Sequence, residues 1–123
     1  MKSSESSEMY LEVMYRLEKR NGVIRSVDIA NELGYTKPSV SRAISLLKQE
    51  NYIDQQPYGK IILLEKGIEK ARKIMERHNL LTKFLVLSLG IDKETAENDA
   101  CRIEHIVSKD TMRAVKKYVS KHD

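Results

Sequence analysis

Apolar residues recur at helical spacing through the first half of the chain. Over residues 6–20, Met9, Tyr10, Val13, Met14 and Leu17 share one stripe, between serines able to cap and an Asn21-Gly22 stop. The spacing predicts a second helix over 27–33, with Ser26 as N-cap and Gly34 just past its end. Thr36 can cap a third, running to about Glu50, and Pro38 falls in its first turn, where it has no N–H to waste. The period then changes. YIDQQ and IILLE flank a Pro/Gly turn, which predicts a β-hairpin at 52–64. Three more helices are expected: a long amphipathic one at 66–88 ended by Gly90, one at 93–107 capped by Asp92, and one at 109–121 capped by Ser108. The fold class is mainly α: an N-terminal winged helix-turn-helix, three helices plus a hairpin, over 1–65, then a helical domain over 66–123.

The strongest pattern is SVDIANELGYTKPSVSRAISLLKQE, residues 26–50. Ile29, Ala30, Leu33, Val40, Ala43 and Leu47 are spaced as the shared interior of two helices around a Gly34 turn. The outer face of the second helix carries Thr36, Lys37, Ser39, Ser41, Arg42 and Ser45. Hydroxyls and helix N-terminal amides suit phosphates, and Arg suits guanine edges. Tyr58, Gly59 and Lys60 are expected at the wing tip, with Lys60 reaching a phosphate or the minor groove. A plain helical hairpin with a solvated face is the competing reading, and the hairpin that follows favours double-stranded DNA.

Composition narrows the class. The 123 residues are 41% hydrophobic and 33% charged, as in a globular domain. The net charge of +4 permits a polyanion partner without demanding one. Between Lys37 and Lys48 there are three basic residues and no acidic one. The run FLVLSLGI at 84–91 is too short to cross a bilayer, and MKSSESSEMY lacks the apolar stretch of a secretory signal. A single cysteine excludes an intramolecular disulfide and fits a reducing cytoplasm.

That cysteine sits in DACRIEH, residues 99–105. On a helix, Cys101, Glu104 and His105 fall at i, i+3 and i+4 and point the same way, with Glu97 a turn earlier. Thiolate, carboxylate and imidazole together suit a first-row divalent ion. His78, and Met9 or Glu12 from the first helix, are candidates to complete the shell. Two other readings stay open. Cys101 can be a core residue of a metal-independent winged-helix regulator. It can also be a nucleophile with His105 as base, although no Gly-rich turn or strand–helix elbow exposes it. A small metalloenzyme would further need an open coordination position and a cleft.

SEMYLEVMY at 7–15, the winged helix, MERHNLL at 75–81 and DACRIEH at 99–105 stand in an order and spacing that resembles the iron-dependent repressors, the diphtheria toxin repressor family with its manganese-sensing branch. The resemblance spans nearly the whole chain. It implies a cytoplasmic homodimeric repressor, not an enzyme, that controls metal-homeostasis genes and binds a palindromic operator only with a divalent metal. It further implies that Met9, Cys101, Glu104 and His105 match the iron branch's activating site. His78 matches a second-site histidine of that branch and a ligand of the manganese branch, and Glu12 a manganese-branch carboxylate. Thr82 stands where both branches tend to have a carboxylate, and Glu97 where the iron branch has a histidine. With the sequence ending at residue 123, the resemblance leads us to expect the shorter manganese-type architecture without an SH3-like third domain. Soft Met9 and Cys101 favour Fe²⁺ over Mn²⁺, while Zn²⁺, Co²⁺ or Ni²⁺ should bind in vitro. The apolar surplus at Leu80, Phe84, Leu87, Ile106, Val107, Val115 and Tyr118 is expected at a two-fold interface.

Overall fold

The structure, a computed structural model, describes residues 5–123. Residues 1–4, with the serines expected ahead of the first helix and part of the stretch read for a leader, lie outside them. The chain divides into two compact units, one through Arg72 and one from Lys73 to Asp123.

The first unit runs α1 (Glu5–Asn21), β1 (Ile24–Arg25), α2 (Ser26–Leu33), α3 (Lys37–Gln49), β2 (Ile53–Gln55), a 3₁₀ turn (Pro57–Gly59) and β3 (Lys60–Leu63). α1 contacts α2, α3 and β1, and α2 contacts α3. Leu11, Met14, Leu17, Ile29, Val40 and Leu47 are almost wholly buried. Ile44 is buried with them, one position beyond the stripe drawn from the sequence.

Ser26 is the first residue of α2 rather than its cap. The preceding Arg25 is extended because Ile24 and Arg25 pair with Ile61 and Lys60 as a strand. The hairpin is therefore a three-stranded antiparallel sheet in the order β1-β3-β2. Along β3, Ile61 and Leu63 face inward while Lys60 and Ile62 face out, the period of two that a half-buried strand requires.

α3 ends on Asn51, whose φ of +65° breaks the helix. The Tyr52 amide donates to the Leu47 carbonyl and the Asn51 amide to that of Lys48, a Schellman closure. Lys66 Nζ then donates to the Glu50 carbonyl at 2.8 Å and lies 4.3 Å from the centre of the Tyr52 ring. Next to it, Gly67 is buried against the Tyr52 carbonyl oxygen, into which any Cβ would project. Gly67→Ala should therefore destabilise the protein by about 2 kcal/mol, overpacking outweighing alanine's better helix propensity. Urea unfolding reads this directly; equal or greater stability would show that the helix shifts aside freely.

α4 (Glu65–Leu89) carries the chain into the second unit, which adds α5 (Lys93–Ile103) and α6 (Lys109–His122). Gly90, at φ +66°, ends α4. Asp92 caps α5 by accepting from the Glu94 amide, and Ser108 caps α6 by accepting from that of Thr111. Leu81, Ala100, Val115 and Val119 form a core, with Leu80, Phe84, Ile103, Val107 and Met112 packed against it. Val115, expected at an interface, is thus interior. α5 is also shorter than expected. It stops at Ile103, with Glu104 as C-cap and His105 in the turn beyond. The amides of Ile106 and Val107 both donate to the Ile103 carbonyl, and Ser108 must be extended to cap α6.

Candidate functional site

α3 presents the first set of candidate residues. The Thr36 hydroxyl accepts from the Ser39 amide at 3.3 Å and donates to Ser39 Oγ at 2.9 Å, fixing the first turn. Arg42 Nη2 donates to Ser39 Oγ at 3.5 Å. Lys37, Ser41, Arg42 and Ser45 are exposed, and the first turn of α3 holds no acidic residue. Lys60 is exposed at the start of β3, just after Tyr58 and Gly59 in the 3₁₀ turn. The face is a polar, cationic helix N-terminus that can approach an anion without desolvating a carboxylate.

The second set lies within the second unit. α4 supplies His78, α5 supplies Cys101, and the α5 C-cap supplies Glu104. One ligand atom from each of these three falls within 4.8 Å of the others. His78 Nδ1 is 2.9 Å from Glu104 Oε2 and 3.7 Å from Cys101 Sγ. His105 Nε2 is 3.3 Å from Glu104 Oε1, and its side chain is 4% exposed. Glu104 is 0% exposed, so its carboxylate is held by protein groups, the His78 imidazole among them, rather than by water.

This environment acts on His78. Hydrogen bonds that its protonated Nδ1 donates to Cys101 and to Glu104 outweigh burial and lift its pKa from 6.5 to about 10. A carboxylate and a sulfur thus converge on an imidazolium, an arrangement in which a divalent cation can replace the proton. Nitrogen, sulfur and oxygen donors fit a first-row transition ion, and the donor set is compatible with such a metal.

Some residues of the second unit stand outside this cluster. Glu97 is exposed on α5. Thr82 is buried, with its hydroxyl donating to the His78 carbonyl at 2.8 Å. In the first unit Met9 is half-buried, and Glu12 is buried with Arg16 at 3.5 Å. His122 is exposed and stacks on Tyr118. Sequence reasoning passed over Glu8, which is buried and 3.3 Å from Lys70. Its signal was the i, i+4 spacing of Glu8 and Glu12 beside Leu11, two like charges on one face that call for a counter-ion.

Two family models match. Residues 2–61 match the iron dependent repressor N-terminal DNA binding domain, and residues 64–123 the iron dependent repressor metal binding and dimerisation domain. An HTH-type transcriptional regulator of Methanocaldococcus jannaschii is 36% identical over 119 residues, covering 96% of this chain and 95% of that protein. The transcriptional regulator MntR of Escherichia coli O6:H1 is 33% identical over 113 residues, covering 92% and 72%. Among solved structures, the manganese regulator SloR superposes with a TM-score of 0.78 at 25% identity, over 98% of this chain and 55% of that one. The IdeR of T. acidophilum gives 0.82 at 23% identity, over 92% and 53%, a likeness of fold. The chain thus spans about half the length of these two solved proteins. Among the described residues no helix is long and apolar enough to cross a membrane. With a DNA-binding model over its first half, a metal-binding and dimerisation model over its second and transcriptional regulators as relatives, the chain belongs to the iron dependent repressor family of metal-dependent, DNA-binding transcriptional repressors.

Proposed function

We propose that this protein is a cytoplasmic homodimer that represses metal-homeostasis genes by binding a palindromic operator when loaded with Fe²⁺ or Mn²⁺. The observation that carries the reading is the convergence of buried His78 and Glu104 with half-buried Cys101. The DNA-binding domain is assigned to 1–65 and the metal-binding and dimerisation domain to 66–123. His78, Cys101, Glu104 and His105 are the donors from the second domain, joined by Met9 and Glu12 from α1. Exposed Glu97 is left out of the shell. Sulfur from Cys101 and Met9 favours Fe²⁺.

When bound, the cation supplies positive charge among donors that otherwise hold a proton. Glu104 orients His78, and His78 surrenders its Nδ1 proton. Met9 and Glu12 share α1 with the residues that pack against α2 and α3. Their engagement therefore ties the pose of the DNA-binding unit to metal occupancy. Thr36, Lys37, Ser39, Ser41, Arg42, Tyr58 and Lys60 meet the duplex, two copies of α3 entering major grooves about 34 Å apart. Linkage requires DNA to tighten metal binding by the same factor.

Fluorescence anisotropy tests the switch, using an operator selected from a random duplex pool under anaerobic conditions. Fe²⁺ or Mn²⁺ should tighten binding at least tenfold over chelator, within the usual range of allosteric coupling. Equal affinity in both conditions rejects the proposal.

A further inference from the structure

α6 is sharply two-sided. Val115 and Val119 are buried in the core of the second unit. The opposite side carries Lys109, Arg113, Lys116, Lys117 and Lys121, all exposed. Their i, i+4, i+7, i+8, i+12 spacing makes one continuous stripe. Asp110 is the only acidic residue along it before the terminal Asp123, and it is engaged by Arg113. Asp123 is engaged by Lys83 of α4. The four lysines have no partner among the described residues, so the stripe presents an uncompensated charge of about +4 along a helix face some 18 Å long.

An exposed helix gains no stability from four unneutralised like charges, and lysines one turn apart repel weakly. We propose that the α6 stripe is a second, sequence-independent contact for the phosphate backbone of double-stranded DNA, separate from α3 and the wing and independent of metal. A cation about every turn of helix faces strands that carry a phosphate about every 3.4 Å of axis. Duplex DNA is the favoured occupant because the same chain carries a DNA-binding domain, which keeps this polyanion at high local concentration. The inference rests on the DNA-binding reading for its ligand but not on the metal switch.

The test uses the full chain with chelator present and a labelled duplex lacking any operator. Lys109, Lys116, Lys117 and Lys121 are changed together to Gln, which preserves helix propensity. The quadruple variant should bind the duplex at least tenfold more weakly at about 50 mM salt, and the slope of log affinity against log salt should fall by about 3. A quadruple Lys→Arg variant should match the parent, and equal thermal melts should exclude unfolding of the Gln variant. An unchanged slope with affinity within twofold overturns the proposal. So does a Gln variant that keeps duplex affinity but loses binding to phosphatidylserine vesicles or to an acidic peptide, since either names a different occupant. Loss of the metal response in the switch experiment leaves this result standing, so the two failures are distinguishable.

Discussion

Glu104→Gln should weaken divalent-metal binding at least 100-fold, about 2.7 kcal/mol, and abolish the metal response of operator binding. The reason lies in where this carboxylate sits. It is 0% exposed, 2.9 Å from His78 Nδ1 and 3.3 Å from His105 Nε2. One side chain therefore donates to the shell and also aims the His78 imidazole by a hydrogen bond. Loss of outer-shell support alone typically costs about 10–100-fold in affinity, and this substitution removes a donor as well. Gln is chosen over Ala because it fills the same volume and leaves no hole beside a buried histidine. Isothermal titration with Mn²⁺ gives the affinity, and a thermal melt checks the fold. A change below tenfold would remove Glu104 from the site. Glu97→Gln is the control: this exposed carboxylate lies on the same short helix, and its loss should leave affinity unchanged.

Much of this architecture is written in local pattern. Thr36, Asp92 and Ser108 each accept from an amide two or three residues on, as a capping side chain does, and these positions mark three helix starts. The errors arise where a partner distant in sequence decides the local conformation. β1 is two residues long, too short to show a period, and exists because β3 pairs with it, which also displaces Ser26 from the cap position. Ile106 and Val107 continue an apolar helical spacing, but the need to present Ser108 to α6 ends α5 at Ile103. The site divides in the same way. Cys101 and Glu104 are three residues apart and their shared direction follows from helical geometry. That one nitrogen of His78 meets both could not be read from 23 and 26 residues away. Buried carboxylates were equally hidden. Glu8 looks like a solvent-facing charge until Lys70 arrives from another helix.

Raising the pH from 6.5 to 8.5 should strengthen metal binding by about 100-fold through His78 alone. The sign follows from competition for one nitrogen. His78 Nδ1 holds its proton between Cys101 and Glu104, and its pKa is raised to about 10. Below that value the metal-free site is protonated, so binding must expel a proton, and affinity rises about tenfold per pH unit. At the ordinary value of 6.5 the rise would flatten in this window, whereas here it continues towards pH 10. Stability of the metal-free protein runs the opposite way. The raised pKa contributes a stabilisation that is fully present below pH 6.5 and is lost as pH climbs to about 10. Metal therefore stabilises the protein most where the proton no longer does. Free Mn²⁺ followed by electron paramagnetic resonance across the window gives the slope. Affinity that levels off near pH 6.5 would show that His78 is not proton-locked by Cys101 and Glu104. His78→Gln should flatten the profile while weakening binding at every pH, because that variant has no proton at this position to displace.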